Sequence, residues 1–174
     1  MLGAAGVRKE ACLALVVGID CTKIDRRRDA GGGRSSDGRR AVTDLTPNIP
    51  EVVAEVRELF ERYEQALNDK NIEVLDDTYW NSPYTIRFGP AEHGYGFDQI
   101  HAHRVRRPPG PSSKEARRRL EILTLGRDFA TVNLEYKVRG RDQIGRQSQA
   151  WVRFPKGWKV ISAHASWIDA NALR

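Results

Sequence analysis

Between residues 50 and 69 apolar side chains return every three or four positions: Val52, Val53, Val56, Leu59, Phe60, Tyr63, Ala66 and Leu67. That period lines them along one face of a helix and leaves the charged residues on the other. Pro50 suits the first helical turn, and Glu51 and Glu55 favour its positive end. Asn68 and Asp69 weaken the helix, and residues 71–80 (NIEVLDDTYW) predict a shorter second one. The period then drops to two. In SPYTIRFG (82–89) Tyr84, Ile86 and Phe88 alternate with Thr85 and Arg87, which predicts a strand over 84–88. GPAEHGYG (89–96) reads as a loop. Residues 97–107 predict a third helix, with Asp98 near its start and Pro108-Pro109 as its stop.

Beyond the prolines four strand-like segments follow, at 116–126, 128–140, 145–155 and 158–168. Turn signals around Gly126, Gly140 and Gly157 separate them. In the second, Val132, Leu134, Tyr136 and Val138 alternate with Thr131, Asn133, Glu135 and Lys137, so one face packs and the other is polar. Three helices, an early strand and an antiparallel meander make an α+β pattern. A strongly curved sheet wrapped around the long helix would form a cone with a pocket at its open end.

Residues 1–45 have a different character. DRRRDAGGGRSSDGRR (25–40) has no apolar period and is expected to be disordered. ACLALVVGI (11–19) imitates a secretory signal, but Glu10 interrupts the charge pattern and no small-x-small cleavage site follows. Met1 is the only methionine, and valine is how an internal GTG start codon would be translated. The native chain is therefore expected to start at Val42, with one domain over 46–170 and a short tail at 171–174.

Charge changes the picture little. The net charge of +6 divides equally on either side of residue 45, with no basic stripe interleaved with aromatics, so no nucleic-acid partner is expected. No apolar run is long enough to span a bilayer, so no membrane partner is expected either. Cys12 and Cys21 both precede the domain, which leaves it no disulfide or thiolate metal site and fits a reducing cytoplasm. His101 and His103 diverge on a helix, and Glu92-His93 lacks an HExxH context, so neither metal nor cofactor is expected. No nucleophile elbow, Ser-x-x-Lys pair or Gly-rich phosphate loop is present.

The order of FERYEQAL (60–67), VLDDTYWNSPYTIRFG (74–89), the Gly-Tyr-Gly turn (94–96), I-x-A-x-R-x-x-R-P (100–108) and GWKVISAHASW (157–167) resembles AtzH-like proteins, including those called oxalurate catabolism protein HpxZ. These lie within the nuclear-transport-factor-like (SnoaL-like, cystatin-like) superfamily, and the resemblance covers roughly residues 49–169. It implies a dimeric, cofactor-free α+β cone linked to amidase-dependent catabolism of ureido compounds, with a carboxylated urea as substrate. It also carries the family's helix tyrosine and strand arginine onto Tyr63 and Arg87. His103 departs from the aromatic residue, such as phenylalanine, expected there.

Each candidate has a structural alternative. Arg87 would grip a planar carboxylate bidentately, or form an internal ion pair with Glu135 or Glu92. Tyr63 would donate to a carbonyl oxygen as charge develops on it, or bond the backbone within the core. Arg104 and Arg107, three apart on one helix face, would form a second carboxylate clamp or a solvated basic face. His93, His101, His103 and His164 are candidate bases. In the last strand Ser162, His164 and Ser166 share a face, so His164 or Ser166 would contact substrate if that face points inward. The leading expectation is a metal-independent hydrolase of ureido acids. An accessory or ligand-binding subunit of a neighbouring amidase is the alternative. An isomerase or dehydratase is a third option, and it lacks an obvious inward base.

Overall fold

The computed structural model describes residues 45–108 and 110–172. The apolar run at 11–19, the segment 25–40 and Val42 lie outside them. Helix α1 spans Pro50–Asp69 and α2 Ile72–Thr78; strands β1 (Ile86–Phe88) and β2 (His93–Tyr95) lead to α3 (Phe97–Arg106). Strands β3 (Lys114–Leu125), β4 (Phe129–Val138), β5 (Gln143–Phe154) and β6 (Gly157–Asp169) complete the sheet, and Ala170–Ala172 form a single 3-10 turn. Among the described residues no helix is long and apolar enough to cross a membrane.

The six strands form one mixed, curved and unclosed sheet in the order β2-β1-β6-β5-β4-β3. β3 to β6 are an antiparallel meander, while β1 pairs parallel to β6, with Arg87 opposite Ala163. Register shifts in β3 at Lys114/Ala116 and Arg117/Arg119, and in β6 at Ile161, opposite Ala150/Trp151 of β5, bend the sheet, because an extra residue on one strand increases local twist. The concave face wraps α1. Val52, Val56, Phe60, Tyr63 and Ala66 are buried there against Val132, Leu134, Tyr136 and Val138 of β4, Trp151 of β5 and Val160 of β6. Burying a side chain the size of Phe60 contributes roughly 1.5–3 kcal/mol, so this one stripe does much to hold helix to sheet.

Two local readings change. The expected loop at 89–96 contains a strand: His93–Tyr95 pairs antiparallel with β1, and the Gly89 N–H donates to the Glu92 carbonyl at 2.8 Å to close the turn. Three residues are too few to show a period. The first strand is also shorter than 84–88. Tyr84 stands 79% exposed, and Thr85 is buried with its hydroxyl donating to the Trp80 carbonyl at 2.6 Å. That side-chain bond turns the chain before pairing begins.

α1 ends where Lys70 adopts a left-handed conformation (φ 54°) and its N–H bonds the Ala66 carbonyl. Asn71 then caps α2, its Oδ1 accepting from the Val74 N–H at 3.1 Å. This sharp reversal brings Lys70 and Ile72 to the rim of the cavity described next.

Candidate functional site

A cavity of about 500 Å³ opens between α1, the β1–β2 turn, the end of α3 with Arg107, Pro108, Pro111, Ser112 and Ser113, and the concave face of β4 to β6. Tyr63, Arg87, Arg104 and Arg107 all line it. His164 and Ser166 do not. β6 turns Ala165 and Trp167 into the cavity. His164 stands on the opposite face, exposed and edge-on to Phe88, and Ser166 is 3.3 Å from Nη2 of Arg146 there. The face shared by Ser162, His164 and Ser166 is therefore the outer one, because the apolar partners of α1 claim the inner.

Arg87 points inward from β1, but its charge is already met. Its Nη1 donates to Oε1 of Glu92, the nearer of its two structural alternatives; Glu135 lies on β4, away from this cavity. Burial opposes the charge on Arg87, yet Tyr79, Tyr63 and Glu92 together hold its guanidinium even more firmly protonated than usual. Its Nε and Nη2 make no hydrogen bond among the described residues and stay available to a ligand. Nε2 of His103 lies 3.0 Å from the other oxygen of Glu92. Burial lowers the basicity of His103, Glu92 opposes that, and the guanidiniums of Arg87, Arg106 and Arg107 lower it further, for a net depression.

Tyr63 is 3% exposed, between the rings of Phe60 and Tyr79 at 6.2 Å each. Burial pushes its phenol well above the ordinary value, Tyr79 adding to the effect and Arg87 and Arg104 opposing it. It stays protonated, so it can donate a hydrogen bond but cannot serve as a base near neutral pH.

Arg104 is 7% exposed and part of the packing. Its guanidinium lies 4.3 Å from the ring centre of Tyr79, and Nη1 donates to Oδ1 of Asp76 at 2.6 Å. Oδ2 of Asp76 meets Nδ1 of His101 at 2.6 Å, which accounts for that histidine structurally. Two donors in the cavity wall, Arg104 Nη2 and Gln147 Nε2, are buried without a partner among the described residues. Buried donors are rarely left so, and an oxygen-rich ligand would satisfy them.

Lys114 and Gln147 were not singled out by sequence pattern, and alternation placed Tyr136 only on a packed strand face. Lys114 pairs with Glu64 of α1, and its ammonium lies 5.4 Å from the Tyr136 ring centre. Burial pulls its basicity down against the stabilising pull of Glu64. The only signal for it was position, just past a proline- and serine-rich stretch where β3 begins. Gln147 was readable only as a polar residue among the inward positions of β5.

Among the described residues no group of three or more His, Cys, Asp or Glu is arranged to hold a metal ion. Among the described residues the wall carries Arg87, Arg104, Arg107, Arg139 and Arg141 with Lys70 and Lys114, against the single carboxylate of Glu92. Three of these cations already hold carboxylates, Arg87 with Glu92, Arg104 with Asp76 and Lys114 with Glu64, and the remaining excess of positive charge around a low-dielectric cleft favours small anions.

The AtzH-like family model matches residues 46–171. A protein of unknown function from the DUF3225 family of Pectobacterium atrosepticum SCRI1043 is 38% identical; the match covers 71% of this chain and 95% of that one, with a TM-score of 0.68. A cystatin-like fold protein from Burkholderia xenovorans LB400 is 40% identical over 71% of this chain and 96% of its own, with a TM-score of 0.67. An NTF2-like protein of unknown function from Pseudomonas putida KT2440, 22% identical over 67% of this chain and 86% of its own at a TM-score of 0.57, shares the fold. No curated protein matches.

Proposed function

The chain belongs to the AtzH-like family, and from that premise we propose that it is a small hydrolase of carboxylated ureas or ureido acids in nitrogen catabolism. The observation that carries this reading is the excess of cations around a cavity of about 500 Å³, a volume suited to one small acid. Nε and Nη2 of Arg87 hold the substrate carboxylate, with Arg107 at the rim as a second cation. Tyr63, kept neutral by burial, donates to the reacting carbonyl oxygen as negative charge develops there. Catalysis then comes from orientation and electrostatic stabilisation by the chain's own side chains. A homodimer that covers the outer face of the sheet belongs to the same proposal.

The test is calorimetric titration of the full chain with a panel of ureido acids, followed by turnover assays on any ligand found. Arg87→Ala is expected to abolish binding. Tyr63→Phe is expected to keep binding and lower turnover by roughly 10²-fold, the scale of a lost oxyanion donor. Full activity in both folded variants would refute the site. One observation favours a second reading: Arg87 and Arg104 each already hold an internal carboxylate, Glu92 and Asp76. That suits an accessory subunit of an amidase with a vestigial pocket. Co-purification of an amidase, with no ligand bound by the isolated chain, would establish it instead.

A further inference from the structure

Among the described residues Glu92 is the one carboxylate lining a cavity rich in cations, and its place is built from three directions. From β1, Nη1 of Arg87 donates to Oε1. From α3, Nε2 of His103 lies 3.0 Å from Oε2. From the turn, Gly89 leaves the room: a Cβ there would stand 2.2 Å from Oε1 and 2.4 Å from Cδ. The Glu92 side chain is consequently held at the cavity wall with 19% of its surface exposed.

Holding it there weakens the site as a plain anion trap, since it sets a negative charge where the substrate carboxylate must arrive. What it adds is acceptor capacity. An ionised carboxylate has about four lone-pair positions and donates nothing. Arg87 and His103 engage one on each oxygen. Burial and the nearby guanidiniums depress the basicity of the His103 imidazole, while Glu92 opposes them.

A ureido acid differs from a simple carboxylic acid in one respect that matters here: an N–H donor stands close to its carboxylate. Arg87 beside Glu92 presents the complementary pair, donors for the carboxylate and an acceptor for the N–H. We propose that Glu92 is the specificity-determining residue of this cavity, accepting a hydrogen bond from the ureido N–H of a ligand whose carboxylate is held by Arg87. This rests on the ureido-acid reading above. Gly89 and His103 are positioning residues, one leaving the space and the other orienting the second oxygen.

The experiment compares two acids that differ at a single group. Hydantoic acid, the N-carbamoyl derivative of glycine, carries an N–H where succinamic acid carries a CH₂. Both are titrated calorimetrically into the full chain and into Glu92→Met, Glu92→Gln and Arg87→Ala, with thermal melts confirming that each variant folds. The wild type is expected to bind hydantoic acid about tenfold or more tighter, the scale of a hydrogen bond to a charged acceptor. Glu92→Met is expected to bring the two affinities together, and Glu92→Gln, which retains a carbonyl acceptor, to keep part of the preference. Equal affinities in the wild type, a comparison that needs no variant, overturn the proposal, and so does a full preference surviving in Glu92→Met. Either result leaves Arg87 as the anion anchor untouched. Failure of the wild type to bind either acid overturns the ureido-acid reading itself and this proposal with it.

Discussion

Replacing Gly145 by alanine should unseat Tyr136 and loosen the cavity wall. The two residues are directly opposed across β4 and β5, and a Cβ on Gly145 would lie 2.1 Å from Cζ of the ring and 2.3 Å from Cε2. Carbon atoms in comfortable contact sit about 3.5–4.0 Å apart, so the ring must move by more than an ångström. It has little room. Tyr136 is 3% exposed, its hydroxyl accepts from Nε1 of Trp167 at 3.2 Å, and Lys114 lies over its ring. Overpacking of a core costs about 1–3 kcal/mol and the indole hydrogen bond about 1 kcal/mol more, for a loss of roughly 2–4 kcal/mol. For a domain of this size that lowers Tm by on the order of 10 °C. Circular dichroism and calorimetric melts of the two proteins measure it directly. The mechanism has its own control: in a Tyr136→Ala background Gly145→Ala has no ring to strike, so the double variant should lose about 1 kcal/mol or more less than the sum of the singles. A Tm within 2 °C of wild type, or strictly additive losses, would show that the sheet absorbs the methyl without displacing the ring.

Two further consequences concern ion pairs that tie helix to sheet. Lys114→Met leaves Glu64 a half-buried charge without its cation and should cost about 3–5 kcal/mol in urea unfolding, while the Lys114→Met, Glu64→Leu double variant recovers most of it; an unrecovered loss would mean that Lys114 matters for more than pairing with Glu64. Glu55 is held below its ordinary carboxylate value first by hydrogen bonds from Arg153, at 2.8 and 2.5 Å, against the opposing effect of burial. A depressed carboxylate stabilises the fold fully above its unfolded value near 4.5 and loses that contribution as pH falls through the folded value. Glu55→Gln should therefore lower Tm at pH 7 and converge with wild type at strongly acid pH, and parallel Tm–pH curves would contradict it.

What could be read along the chain was whatever repeats locally. The α1 stripe and the alternation of β4 are legible because a helix or strand buries one face, and the spacing of its apolar residues records which face. They fixed the class, the long helix and the meander, with ends displaced by a residue or two where Asn71 and Thr85 redirect the chain through side-chain bonds. Alternation also grouped Thr85 with Arg87, and His164 with Ser166. It could not show which group faces the cavity, since that depends on which side of the sheet α1 covers and on β1 lying parallel beside β6. Tertiary structure turned Arg87 inward and left His164 outward. It alone brought Arg87, Gly89, Glu92 and His103 together, and with them Lys114 and Gln147 from distant strands. Glu92, His103, Lys114 and Gln147 leave no periodic trace, because each is a single polar residue whose partner is chosen by packing rather than by its neighbours in the chain.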